Sequence, residues 1–263
     1  MRIYKLAGTL VLGTLASWAQ AQQPGLSAAG SEQWTFEISP YLWAVGLNGD
    51  MTVKGQDAKV DEDFGDILSN LNMAGEVHFE AWKGRWGMFV DATYIDLKSD
   101  AQSGPVDIDA EVKMWLVDFA GLYQVSTWQL GEASENRRGG LELLVGGRYT
   151  DMEPKLDFKD SPLPTVKQKA SWTDLILGAR LTADLSAKWS MVLRADVGGF
   201  GIGSSSDLTA SGSALFDWRF KPQWDLLMGY RALYQDYDKG SGDSKFAYDV
   251  TTHGPIVGVK YQF

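Results

Sequence analysis

Glu76, His78 and Glu80 stand two residues apart, so an extended chain brings two carboxylates and one imidazole to a single face. Farther along come Asp91, Asp118, Arg148, Arg180, Arg194, Asp196 and Arg231. Carboxylates beside an imidazole are the groups of metal ligation and of proton transfer. Guanidiniums held against carboxylates line ion-selective constrictions or form buried ion pairs. The only other histidine is His253, with Asp249 four residues back and Asp236 and Asp238 nearby in the sequence. An acid and a histidine gathered at one rim would be the minimum equipment of a hydrolase that activates water or a nucleophile. Cysteine is absent, which excludes disulfides and thiolate chemistry.

Whether these groups meet depends on the elements that carry them, and the dominant periodicity of the chain is two. In Trp115–Tyr123 one face reads Trp115, Val117, Phe119, Gly121 and Tyr123, and the other Leu116, Asp118, Ala120 and Leu122. An apolar face bracketed by aromatic residues, backed by a mixed face with a charge, fits a strand crossing a bilayer. The pattern recurs with Trp86 to Tyr94 out and Asp91 in, and with Leu141 to Tyr149 out and Glu142 and Arg148 in. It returns with Asp174 and Arg180, Arg194 and Asp196, Asp217, Arg231 and Lys260 on the faces opposite the apolar rows. We therefore expect an all-β, closed antiparallel transmembrane barrel of about ten strands, with eight or twelve as the alternatives.

Composition agrees. The sequence has 34 acidic against 24 basic residues, so nucleic acid is not an expected partner. Eleven Trp, ten Tyr and eleven Phe are a heavy aromatic load for so acidic a chain, and interfacial girdles would use them. Residues 1–21 read as a secretory signal peptide, with Arg2 and Lys5 ahead of an apolar run and Ala19-Gln20-Ala21 at its end, which leaves 22–263 as the barrel domain. No later stretch is apolar for long enough to cross a membrane as a helix.

Short links at Lys83-Gly84-Arg85, Ser186-Ala187-Lys188 and Lys221-Pro222-Gln223 alternate with long polar ones near 48–71, 99–105, 153–169 and 238–246. That is the asymmetry of short periplasmic turns and long outer loops. The link from Ser126 to Gly140 is long where a short one belongs. Phe64–Leu71 has helical spacing, and the acidic run Asp57, Asp61, Glu62, Asp63 and Asp66 reads as a solvated loop rather than a calcium site, since it lacks fixed ligand spacing. At the C-terminus Val257, Val259, Tyr261 and Phe263 form an alternating apolar row that resembles the signal read by the barrel assembly machinery.

Several stretches resemble an uncharacterised group of proteobacterial outer-membrane barrels, loosely porin-like. They are Ser39-Pro40-Tyr41-Leu42-Trp43, Gly84-Arg85-Trp86-Gly87 with Asp91-Ala92-Thr93-Tyr94, Asp196-Val197-Gly198-Gly199-Phe200-Gly201, Gly229-Tyr230-Arg231-Ala232-Leu233 and His253-Gly254-Pro255. The resemblance implies architecture and an outer-membrane location in a Gram-negative cell, and supplies no substrate or catalytic residues. The expected partners are outer-membrane lipid and lipopolysaccharide, periplasmic chaperones and the assembly machinery, with small solutes if the lumen is open; no cofactor and no metal site is assigned.

For the lumen the sequence leaves two readings. Glu76, Glu80, Asp91 and Asp118 come from early strands, and Arg148, Arg180, Arg194 and Arg231 from later ones, so an acidic wall could face a basic wall across a narrow pore. The same groups could instead pair and plug the barrel, with His78 joining the network, because buried charges are costly unless paired. The plugged lumen is the preferred reading. A rim hydrolase at His253 and a surface-interaction barrel are the alternatives.

Overall fold

A computed structural model describes residues 32–62, 65, 71–103, 106–158 and 165–263. The signal-peptide reading and most of the helical stretch expected over 64–71 lie outside the described residues. Thirteen strands follow one another: β1 (Thr35–Trp43), β2 (Gly46–Val53), β3 (Gln56–Glu62), β4 (Leu71–Lys83), β5 (Trp86–Ser103), β6 (Val106–Leu130), β7 (Arg137–Phe158), β8 (Val166–Lys167), β9 (Ala170–Asp184), β10 (Trp189–Gly199), β11 (Leu208–Lys221), β12 (Trp224–Lys239) and β13 (Phe246–Gln262). Ten of them form the wall in the order β1-β4-β5-β6-β7-β9-β10-β11-β12-β13, and β13 returns to β1. The barrel is closed and antiparallel throughout.

Closure explains the apolar strand at the C-terminus. Phe36 and Phe263 exchange two backbone hydrogen bonds, of 3.0 and 2.9 Å, and the pairing runs on to Trp43 opposite Ile256. Val257 and Phe263 are more than half exposed on the outer face, where lipid, not a protein core, receives them.

The chain does not leave the wall at Trp43. It kinks at Ala44, whose N–H donates to Pro255 O at 2.8 Å, and continues along β13 as β2. The kink needs close backbone contact: a Cβ on Gly254 would lie 1.8 Å from the Ala44 carbonyl oxygen. β2 then turns through Lys54 and Gly55, both at positive φ (48° and 74°), into β3. Paired positive φ values are those of the tight hairpin turn whose twist matches the strands.

The loops therefore differ from the sequence expectation. Much of 48–71 is the β2–β3 hairpin, with Asp57 and Asp61 accepting hydrogen bonds from Thr52 Oγ1 (2.7 Å) and Asn48 Nδ2 (3.1 Å). Asp63 and Asp66 lie outside the described residues. Most of 99–105 and the first part of 153–169 are strand, because β5, β6 and β7 keep pairing to Ser103, Val106 and Phe158. The long link from Ser126 to Gly140 is also mostly strand. It bulges between Gln124 and Ser126, pairs to Leu130 opposite Arg137, and turns through a short 3-10 segment, Ala133–Glu135. The ten-strand count stands, since polar residues can pair as strand where both faces meet water.

The outward side chains form a belt. The end with the short turns is taken as periplasmic, as the sequence leads one to expect; on that edge Trp86 packs on Tyr123 and Trp224 on Tyr261, both with ring centroids 4.7 Å apart. On its outer edge Tyr94 packs on Trp115 at 4.8 Å. From Trp86 to Tyr94 the chain advances roughly 26 Å at about 3.3 Å per residue. With strands tilted by about 35–45°, that path spans roughly 20 Å of height, close to an apolar band of about 25 Å with its flanking rings. Beyond the outer edge the two faces exchange character. Outward positions become Asp96, Asp151, Glu153, Asp236 and Asp249, while inward positions become Ile95, Met114, Met152, Trp172 and Tyr237. Inside the belt the barrel is apolar outside; beyond it, apolar inside.

Placing arginine at Val145, 54% exposed in the belt, is expected to cost ~2–4 kcal/mol. Asp236→Arg, beyond the outer edge, is expected to change stability by less than about 0.5 kcal/mol. Urea unfolding of the barrel in lipid vesicles measures both, and equal costs would contradict the placement of the belt.

Candidate functional site

The interior has three layers along the barrel axis. In the outer layer Trp172 lies flat on Tyr237, with centroids 4.2 Å apart and planes 8° apart. Tyr248 and Phe246 pack against this pair, and all four are buried. Leu233, Met114, Met152 and Ile95 complete the cluster. Stacked rings and aliphatic side chains fill most of this layer, with a few buried polar groups among them, such as Asp174 and the 2.9 Å hydrogen bond from Gln235 to Thr150.

The middle layer is ionic, with Asp118 at its centre. Arg148, reaching from the neighbouring strand, donates to both Asp118 oxygens at 2.8 and 2.9 Å, to Asp196 Oδ1 at 2.9 Å and to Thr209 Oγ1 at 2.8 Å. Arg194 and Arg231 each reach Asp118 Oδ2, at 3.2 and 3.1 Å. Arg231 also donates to Asp91 Oδ1 at 3.3 Å and lies over the Trp43 ring. Arg148 and Asp118 are both wholly buried. Removing one partner from such a pair leaves a stranded charge, so the network holds its members in place.

The periplasmic layer is looser. Arg180 grips Glu80 through two nitrogens at 2.7 and 2.9 Å and donates to Glu142 Oε2 at 3.1 Å. Trp82 Nε1 also donates to Glu80. His78 bridges the layers, with Nδ1 3.0 Å from Asp91 Oδ2 and Nε2 3.2 Å from Glu80 Oε2. Lys260 donates to Asp217 Oδ2 at 2.7 Å. Between these groups is a cavity of about 100 Å³ whose walls include Glu37, Ser39, His78, Glu80, Arg194, Asp217 and Lys260 together with Phe89, Leu122 and Leu215.

His78, Glu80, Asp91, Asp118, Arg148, Arg180, Arg194, Asp196 and Arg231 meet on the inner face, whereas Glu76, buried on the same face, makes no ion pair among the described residues. An acidic wall facing a basic wall does not form. Asp196 and Glu142 sit among the arginines, and Arg148 meets Asp118 between adjacent strands, directly opposite in register. Arg180, Arg194 and Arg231 reach Glu80, Asp118 and Asp91 from non-adjacent strands, so these charges pair with one another across the lumen. The rim cluster does not assemble either: Tyr230 Oη lies 2.7 Å from His253 Nδ1 on the outer face, while Asp236 stands opposite Asp249 in the β12–β13 register. Along β13, Asp249 is roughly 13 Å from His253 at about 3.3 Å per residue.

Sequence reasoning left Glu37, Tyr41 and Glu142 out of the network, and with them the Trp172–Tyr237 plug. Glu142 already faced inward by alternation, and only its height beside Arg180 was missing. The plug gave no period-two contrast to read, because Trp172 and Tyr237 are apolar residues on the face expected to be polar.

A closed ten-strand barrel with a lipid-facing belt and an ion-paired interior defines an integral β-barrel membrane protein of the outer-membrane architecture. No protein-family model and no curated protein matches the chain. Among solved structures it is similar to Ail, the attachment invasion locus protein of Yersinia pestis, at 10% identity over 88% of this chain and 99% of that one, with a TM-score of 0.34. It is similar also to Neisserial surface protein A, at 12% identity over 88% of this chain and 100% of that one, TM-score 0.36. A third is the outer membrane protease OmpT of Escherichia coli, at 9% identity over 88% of this chain and 96% of that one, TM-score 0.45. Identities and scores this low carry no functional inference.

Arg148→Leu is expected to destabilise the barrel by ~3–5 kcal/mol, because Asp118 loses its two-pronged buried partner and Asp196 one of its two arginines. In the periplasmic turn Arg137 donates to Glu135 at 2.7 Å and holds that carboxyl below the ordinary glutamate range, yet the pair is open to water. Arg137→Ala is accordingly expected to cost less than about 1 kcal/mol. Chemical unfolding in vesicles compares the two, and a small loss for Arg148→Leu would show that the central network is not structural.

Proposed function

We propose that the protein is an outer-membrane barrel sealed to solutes, which works as a structural and surface-interaction element rather than as a porin-like channel. The observation that carries this reading is the double closure of the lumen, by the Asp118 network at mid-height and by the Trp172–Tyr237 stack beyond it. A hydrated ion would have to break several buried charge pairs and then cross an apolar core, and each step costs several kcal/mol.

The outer wall supports the second half of the proposal. β6 and β7 run for 25 and 22 residues, whereas β10 has 11, so one side of the barrel stands well clear of the belt. Its outward face is charged, with Lys113 on Glu111 at 3.1 Å, Lys167 on Glu153 at 2.6 Å and Lys169 on Asp151 at 3.1 Å. A raised, charged sheet face is suited to polar surroundings such as lipopolysaccharide headgroups. Export through the signal peptide and insertion by the assembly machinery, reading Val257, Val259, Tyr261 and Phe263, complete the proposed route.

The narrow channel is the second reading, favoured by the cavity in the periplasmic layer. Planar-bilayer recording separates the two. The sealed barrel is expected to give no single-channel steps, either as the native protein or as Arg194→Ala/Arg231→Ala, in which the outer stack is intact. Steps from the native protein whose ion selectivity shifts in that variant would establish the channel instead.

A further inference from the structure

The cavity in the periplasmic layer gathers one imidazole and two carboxylates, Glu80 and His78 tied into the ion-pair network and Glu37 only loosely so. We propose that Glu37, His78 and Glu80 form a site for a divalent first-row transition ion, reached from the periplasmic end of the lumen. The inference goes beyond the sealed-barrel reading and does not depend on it. One ligand atom from each of the three lies within 4.8 Å of the others. They sit on the paired strands β1 and β4, with Glu37 opposite Glu80 in register and Ser39 opposite His78. One imidazole and two carboxylates suit ions of the zinc and cobalt class, whereas calcium asks for six or more oxygens. Tetrahedral metal–ligand bonds of about 2.0–2.2 Å put ligand atoms roughly 3.4 Å apart, so the widest-set side chains must close in by about an ångström or more.

The second layer around the histidine is already built. A ligating histidine normally gives its other ring N–H to a carboxylate, which fixes the ring and its tautomer. Here His78 Nδ1 faces Asp91 Oδ2 at 3.0 Å, and Asp91 is itself held by Tyr41 Oη at 2.7 Å. With the Nδ1 proton directed at Asp91, the Nε2 lone pair is the one that points at Glu80. When the site is free of metal, a proton on Nε2 bridges that 3.2 Å contact; on binding, the ion takes its place and the proton goes to solvent.

Charge balance at the spot rests on Glu37, because Arg180 already compensates Glu80 and the ion would share that carboxylate with it. Glu37 is the less committed acid, since Lys260 stands 3.8 Å from it and makes its short contact, 2.7 Å, with Asp217. The cavity of about 100 Å³ leaves room for water ligands besides the ion, at roughly 30 Å³ per water. Ser39 Oγ lines that cavity, is 1% exposed and has no hydrogen-bond partner. A water bound to the ion would give it one.

The experiment is titration of the folded, chelator-stripped barrel in detergent with Co²⁺ and Zn²⁺, read by calorimetry and by the visible spectrum of bound cobalt. One ion per barrel is expected, with Zn²⁺ displacing Co²⁺. Affinity should fall by about tenfold or more in Glu37→Gln and His78→Asn, and by about 10- to 100-fold in Asp91→Asn. His253→Asn, on the outer face beside Tyr230, should leave it unchanged. Glu37→Gln disturbs only the 3.8 Å contact with Lys260 among the ion pairs, so it reports on the site if a change at His78 prevents folding. No uptake by the native barrel, or undiminished uptake by folded Glu37→Gln, overturns the proposal.

Discussion

Lipid offers no hydrogen bonds, and this single constraint organises the protein. A strand in the bilayer must pair on both edges, so the sheet must close and its last strand must meet its first. The reciprocal bonds of Phe36 and Phe263 are where that requirement is met. Once the wall is closed, the side chains divide: apolar toward lipid, and toward the lumen a mixture in which ion-paired charges sit beside an apolar patch of Trp82, Phe89, Leu122, Leu144 and Ile176. Past the kink at Ala44 the chain goes on pairing with β13 as β2 and folds back as β3, whose outer edge stands beyond the belt, where water can satisfy it.

The interior obeys a second constraint with the same root. Charges turned away from lipid still need partners, because the lumen of a ten-strand barrel is too narrow to solvate them freely. Asp118 meets this need by serving three arginines, and Arg148 by serving two carboxylates. Beyond the outer aromatic girdle water replaces lipid, and the faces trade places. There the barrel resembles a small soluble protein, with Trp172 and Tyr237 as its core and Asp96, Asp151 and Glu153 as its surface. The proposed outer closure of the lumen is a by-product of that change of solvent.

The wall was legible in the sequence because its signal is local. Alternation in Trp115–Tyr123 states which side chains face lipid, and the structure leaves Trp115 and Phe119 exposed while burying Leu116 and Asp118. The inward orientation of Arg148, Arg180, Arg194 and Arg231 follows from the same period. What one strand cannot report is its height against the next. Whether Arg148 faces Asp118 or an open lumen depends on register across two strands, and register across a barrel depends on tilt and stagger of the whole sheet. Loop lengths were misjudged for a related reason. Polar residues at 48–53, 99–103 and 153–158 read as loop when strands are expected to be apolar on one side, yet above the membrane a strand can be polar outward. The Trp172–Tyr237 stack was hidden because its inward apolar residues obey the opposite polarity to the belt below.

The exchange of faces at the outer girdle is the claim from which the seal, the belt and the raised outer wall all follow. A chain without cysteine allows it to be tested directly, by placing single cysteines along Leu141–Pro154 of β7 and reading the emission of an attached environment-sensitive fluorophore in vesicles. Blue-shifted emission is predicted at the outward positions Leu143, Val145 and Tyr149, giving way to water-like emission at Asp151 and Glu153 while the inward position Met152 turns apolar. One unbroken phase of alternation from Leu141 to Pro154 would contradict the account.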